Sequence, residues 1–429
     1  MRRRDSFLGA MLGLAVGDAL GAPIEGMKRG RIKDVYGVVR DYVDSSLAWR
    51  NKPNKFRLQG AYTDDTQQAL VLAESLVRCY GFSLNDFART LLELWQADED
   101  LKYGAFRGIG PTFRKTMTRL SQGEDPSQVG EPSAGIGSTM RVAPVGLYFC
   151  EEEDELIKSA IEQSLLTHRD PRALALSAAV AWIVGKFASG SWEQSISKKQ
   201  IDELLDFASE LEQIIEAEYI AQLPAQVYDF FGLFYRSLNP IRHWIGMEHE
   251  LVFRQIINLA NQAFPREKIT SPSQNFSLAL GITAIFLGLT STDFESGLIE
   301  AINLGRDTDS LGAIVGAILG ARFGIEEIPK NWLDGLKNSE QISARADALW
   351  QKSFAGLKIK PLKQIELDLT WQEIRAREQF IQKMIAEGEY DPEKKAKKPA
   401  QAQPVSPQGK QKRTKKRKLK REKAPWKKW

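Results

Sequence analysis

Apolar and polar positions repeat at helical spacing along most of this chain. In residues 64–80, Ala69, Leu70, Leu72, Ala73, Leu76 and Val77 fall on one face of a helix. The same period predicts helices over 84–97, 153–166, 172–187, 199–222 and 247–264. It continues over 278–290, 294–304, 309–322 and 341–355. Strand signals are nearly absent; Val35–Val43 is the best short candidate. Polar or Gly/Pro/Ser-rich stretches at 50–60, 103–111 and 123–138 read as loops. Residues 366–388 read as one amphipathic helix, with Leu369, Ile374, Phe380, Ile381 and Ile385 among its apolar positions. After Tyr390 the apolar period stops, and residues 391–429 are expected to be disordered.

The first helix is ambiguous. MRRRDSFLGAMLGLAVG has the charged start and short apolar run of a signal peptide, with Ala19–Ala22 as a cleavage site. Against that, the run ends at Asp18, and glycines stand at 9, 13, 17 and 21. A four-residue glycine spacing puts all four near one face, predicting a packed helix whose backbone another helix approaches closely. Leu311–Gly320 carries the same pattern at Gly312, Gly316 and Gly320. No run of 18 apolar residues free of charges occurs, so no transmembrane helix is expected.

Composition narrows the class. At 429 residues, 43% hydrophobic and 27% charged, the chain fits a soluble globular protein. Two cysteines, Cys79 and Cys150, cannot form a disulfide framework, and a reducing cytoplasm is the expected location. The three histidines, His168, His243 and His249, form no HExxH pattern. Residues 391–429 hold sixteen Lys and Arg against three acids, net +13, so the whole-chain +4 leaves −9 for residues 1–390. Such a tail, with Trp426 and Trp429, is able to bind nucleic acid, the ribosome or another polyanion. A solvated tail reads equally well from the same composition.

Candidate chemistry lies in two acidic clusters, Thr63–Asp64–Asp65–Thr66 and Asp307–Thr308–Asp309–Ser310, each opening a helix. One reading is helix capping with acids favoured at the N-terminus. The other is metal ligation. The helix after Asp307 is small and apolar, which draws its carboxylates inward, and buried carboxylates need a counter-charge. Four carboxylates with hydroxyls and no soft ligand suit Mg²⁺ or Mn²⁺, as two ions, rather than zinc. A Gly/Ser loop, Ser133–Arg141, is able to offer free N–H groups to a phosphate. Thr167–His168–Arg169–Asp170–Pro171 is a plain helix start beside a lone histidine.

Taken in order, GAMLGLAVGDALGAPIE, YTDDT, RGIGPT, GIGSTMRVAPVG, THRDPRA and NLGRDTDSLGAIVGAILGA resemble the ADP-ribosylglycohydrolase family over residues 5–355. The resemblance implies an all-α, orthogonal multi-helix bundle with a binuclear Mg²⁺/Mn²⁺ centre. It implies a catalytic domain at 1–356; beyond it, the residue pattern itself reads as an accessory amphipathic helix at 357–390 and a disordered Lys/Arg-rich tail at 391–429. By motif match the metal ligands are Thr63, Asp64, Asp65, Asp307, Asp309 and Ser310. The match places Asp64, Ala134, Gly135, Gly137, Ser138, Thr139, Met140 and His168 at the substrate. Glu25 falls on an acidic position of a mobile loop, and Asp65, Asp309 and Glu25 are the expected catalytic acids, with Asp65 as general base. Ile136 stands where the family usually has Asn, and Ser310 where many members have Thr. The implied partner is an ADP-ribosylated protein, with arginine as the modified side chain, or a small molecule containing ADP-ribose. The alternative from another class is a nucleic-acid- or ribosome-associated factor that uses the tail on a catalytically reduced scaffold.

Overall fold

In this computed structural model, residues 2–50, 52–263 and 268–392 are described. The chain folds as a multi-helix bundle. Among the described residues no strand forms, and only two isolated bridge pairs occur, Lys28–Gly305 and Glu131–His168. Val35–Val43 is therefore not a strand. Its first residues finish a helix over Arg29–Tyr36. Beyond Gly37, the Val39 N–H and carbonyl are both taken by the Asn303 side-chain amide at 2.9 Å, which replaces a strand partner.

Five helices position the site: α1 (Arg4–Gly21), α2 (Asp64–Cys79), α3 (Pro171–Ala188), α4 (Thr308–Phe323) and α5 (Leu362–Ala386). α1 is buried from Ser6 to Gly21, and α4 is buried as far as Arg322. They run antiparallel with their glycines in register. A Cβ on Gly9 would lie 2.2 Å from the Gly320 carbonyl oxygen, one on Gly13 2.2 Å from that of Gly316, and one on Gly17 1.9 Å from that of Gly312. No side chain fits there, so the backbones meet directly, as the four-residue spacing predicted. The N-terminal segment is accordingly a core helix of the fold. α1 with its extension to Ile24, and α3, are long and apolar enough to cross a bilayer by length and composition, although the sequence showed no such span. In this fold, 100% and 94% of those windows are buried.

The register decides where the chemistry sits. It brings the C-terminal end of α1, with Asp18 and the following Glu25, onto the N-terminal end of α4. The Thr308 hydroxyl closes the join by donating to the Gly21 carbonyl at 2.9 Å.

α5 opens four residues earlier than its apolar pattern predicted. It also inserts two acids into the body: Glu366 is wholly buried and Glu373 nearly so. Both cysteines are free thiols. The expected disordered segment 391–429 lies outside the described residues from 393 onward.

Candidate active site

The helix start at Asp64 is fixed by a residue that the motif reading left out. Asp18 is wholly buried, and its carboxylate accepts the Thr63 N–H at 2.9 Å, the Thr63 hydroxyl at 2.9 Å, the Thr66 N–H at 3.0 Å and the Thr66 hydroxyl at 2.6 Å. Thr63 caps α2, and its hydroxyl lies 3.1 Å from Asp65 Oδ2. The two threonines of the motif therefore serve the turn. Asp64 and Asp65 are left to face outward from it. The sequence signal for Asp18 was a lone acid closing an apolar helical run.

Asp64 is held on two further sides. Its N–H donates to the Arg107 carbonyl at 2.8 Å, and its Oδ2 accepts the Gln68 side-chain amide at 2.7 Å. Gln68 in turn accepts from Arg141 at 2.6 Å. Arg141 is buried beside the cluster, and desolvation lowers its pKa to about 9.

At the start of α4, Asp307 is the cap residue and Asp309 stands in the first turn. Burial pushes Asp64, Asp65 and Asp307 well above the usual carboxylate range. Repulsion from Asp309 adds to all three, and at Asp65 that from Asp18 is larger still. Burial also raises Asp309 and Glu25. The two motifs, far apart in sequence, thus form one mutually repelling carboxylate cluster. Arg57 acts against the rise at Asp64, Asp309 and Glu25, joined at Glu25 by Lys55, whose Nζ lies 3.8 Å from the carboxylate.

Three carboxylate oxygens in this cluster, Asp65 Oδ1, Asp307 Oδ2 and Asp309 Oδ1, are buried without a hydrogen-bond partner. Orphaned acceptors among like charges are costly unless a cation joins them. Among the described residues no group of three or more His, Cys, Asp or Glu side chains is placed so that it could hold a metal ion as it stands. The donor set is nonetheless all oxygen, which fits a hard divalent ion.

The cluster floors a cleft of about 910 Å³. Glu25, Asp64, Asp65, Asp307, Asp309 and Ser310 line it, as do Ala134, Gly135, Gly137, Met140 and His168 from the expected substrate side. Thr63 lies behind this wall, committed to Asp18. Ser138 and Thr139 do not reach it. After Ile136 the chain turns inward, with the Thr139 and Met140 N–H groups donating to the Ile136 carbonyl, and both hydroxyls are buried without partners.

Gly137 owes its size to the histidine: a Cβ there would lie 2.9 Å from His168 Cε1. Burial, reinforced by the Arg141 charge, lowers the His168 pKa to about 3, so the ring is neutral. Ile136 is buried and brings no polar side chain to the loop. Asn275 lines the cleft and accepts the Ile136 N–H at 3.2 Å.

Among the described residues the chain is thus all-helical, with an acid-floored cleft bordered on one wall by glycines. The sequence profile of the ADP-ribosylglycohydrolase family matches residues 1–356, and the chain belongs to that family. It is similar to the ADP-ribosylarginine hydrolase Tri1 of Serratia proteamaculans (strain 568), 26% identical over 81% of this chain and 79% of that protein. It is similar to the ADP-ribosyl-[dinitrogen reductase] glycohydrolase of Rhodospirillum rubrum, 27% identical over 80% of this chain and 95% of that protein. A solved structure titled ADP-ribosylglycohydrolase-related protein complex superposes with a TM-score of 0.57 and 28% identity, covering 82% of this chain and 99% of its own.

Proposed function

We propose that the protein releases ADP-ribose from a modified side chain, with arginine as the first candidate, using two Mg²⁺ or Mn²⁺ ions. The orphaned oxygens of Asp65, Asp307 and Asp309 at the floor of the cleft carry this reading. Asp64, Asp65, Asp307, Asp309 and Ser310 would hold the ions, with Thr63 setting the turn beneath them. When bound, the metal pair supplies the positive charge that the cluster lacks and lowers the pKa of water.

The chain's own groups do the rest. The Ala134–Gly137 wall and the neutral His168 ring seat the ADP-ribose, with Asn275 fixing the loop. Asp65 takes the proton from the attacking water as the anomeric carbon develops oxocarbenium character. Asp309 shares the charged floor, and Glu25, about one-third exposed, closes the rim.

The test is incubation with proteins ADP-ribosylated through Arg, Ser, Cys or Glu, with Mg²⁺ or Mn²⁺ and with an EDTA control. Metal-dependent release of ADP-ribose from the Arg-linked protein supports the reading. Release unaffected by EDTA contradicts the metal assignment, and release confined to another linkage contradicts arginine.

A further inference from the structure

Behind the wall that carries Asp307 lies a second recess of about 390 Å³. The partition between it and the cleft is backbone laced from three segments. The Gly26 N–H donates to the Arg306 carbonyl and the Arg306 N–H to that of Met27, both at 2.6 Å. The Asp307 N–H donates to the Ser273 carbonyl at 3.2 Å, and the Ser273 hydroxyl to that of Gly305 at 2.6 Å. Arg306 is the residue that lines both cavities. Its guanidinium donates to the Thr270 hydroxyl at 3.2 Å, on the recess side. Because Arg306 precedes Asp307, the recess adjoins the acid end of the cleft, where the scissile bond belongs.

The recess is cationic. Lys28, Arg29, Arg254 and Arg306 line it, and among the described residues its only acid is Glu250, already ion-paired with Arg29. Lys28 and Arg254 are exposed and form no ion pair among the described residues. Among the described residues three of these cations, Lys28, Arg254 and Arg306, have no ion-pair partner, and such a rim over a floor that includes Phe253 and Leu304 favours an anion at the opening. Arg306 also sits at φ +66°, the left-handed region. A non-glycine side chain there costs about 1–2 kcal/mol relative to the usual helical conformation, so a large charged residue at this position asks for a use.

We propose that this recess binds an anionic group, carboxylate or phosphate, carried by the acceptor polypeptide next to its ADP-ribosylated side chain. The proposal rests on the reading of the cleft as an ADP-ribosyl site and adds a preference for the sequence around the modification. The catalytic acids recognise the sugar side, and the Lys28–Arg254–Arg306 rim recognises the acceptor side.

The experiment uses the full-length protein with Mg²⁺ and ADP-ribosylated peptides whose neighbouring residues are Glu, phosphoserine, Gln or Lys. A small ADP-ribosyl substrate without a peptide is the control. The parent should favour the Glu or the phosphoserine peptide over the Gln peptide by about tenfold in kcat/KM, less so as salt rises. The Glu and phosphoserine arms tell which anion is preferred. In the variant Lys28→Glu/Arg254→Glu the preference should vanish while the small substrate is hydrolysed as before. Equal rates for all four peptides in the parent, or a preference that survives in the variant, overturns the proposal.

If no ADP-ribosyl substrate is hydrolysed, the reading of the cleft fails. Anisotropy with the same labelled peptides lacking ADP-ribose then still decides the recess. Tighter binding of the acidic peptides by the parent than by the variant supports it, and equal binding refutes it. The basic tail is common to both proteins and cancels in the comparison.

Discussion

Glu366 and Arg107 form a buried ion pair, with Oε2 2.9 Å from Nη2 and both side chains almost wholly inaccessible. The same carboxylate accepts the Tyr62 hydroxyl at 2.6 Å and the Gln67 amide at 2.8 Å, while the Arg107 carbonyl accepts the Asp64 N–H. Seven residues on, Glu373 pairs with Arg57 at 3.2 Å, and Arg57 faces the carboxylate cluster. α5 lies beyond residues 1–356, where the family profile matches, yet it holds two cations that flank the carboxylate floor of the cleft.

Removing α5 should therefore disable the enzyme. Truncation after residue 356 leaves Arg107 and Arg57 without their partners, and breaking one buried pair costs about 3–5 kcal/mol. Glu366→Gln should lower Tm and reduce activity, as thermal unfolding and initial rates will show. Truncation after residue 392 should leave hydrolysis of a small substrate nearly unchanged. A fully active 1–356 fragment would contradict this role for α5.

Asp18→Ala should uncouple the Thr63–Thr66 turn from α1. Two N–H and two hydroxyl donors lose their acceptor, at about 2 kcal/mol or more of stability. Displacement of Asp64 and Asp65 should cost about 100-fold in kcat. Circular dichroism separates this from unfolding, and wild-type turnover would contradict the positioning role.

The glycine register predicts a sharp contrast. Gly17→Ala puts a methyl 1.9 Å from the Gly312 oxygen and should destabilise by about 3 kcal/mol or more. Gly30→Ala, in the helix over Arg29–Tyr36, meets nothing within 4 Å and should be neutral or gain about 0.5 kcal/mol. Chemical denaturation of both variants checks the pair.

The close packing of α1 was readable because its marker is local, glycine every fourth residue; that α4 is the partner was not read, since spacing within one segment does not name its neighbour. The acidic clusters were readable for the same reason, since TDDT and DTDS each mark a helix start. Asp18, Gln68, Arg141 and Asn275 were not singled out, because their roles come from contacts across the fold and leave no spacing in the chain. The glycine at 137 was visible, but its reason was not; the close neighbour is the His168 ring. The amphipathic pattern of α5 did not mark Glu366 and Glu373 as buried, because their partners Arg107 and Arg57 stand far away in the chain.

His168 supplies a pH signature. Its folded pKa, about 3, lies below the ordinary value of 6.5, so the unfolded chain binds the proton more readily. Its contribution to stability is fully present above pH 6.5 and declines as pH falls from there toward 3. The ring resonances should show no titration between pH 5 and 8 by NMR. A midpoint near 6.5 would place the ring in solvent, away from the buried wall.

Calorimetric titration of Mn²⁺ into the parent protein and into Asp309→Asn decides whether the four aspartates form one divalent-metal site. About two ions should bind per parent chain, as in two-metal sites. Binding should be weakened or lost in the variant with the helical circular dichroism spectrum preserved. No Mn²⁺ binding by the parent, or undiminished affinity in Asp309→Asn, would contradict that site.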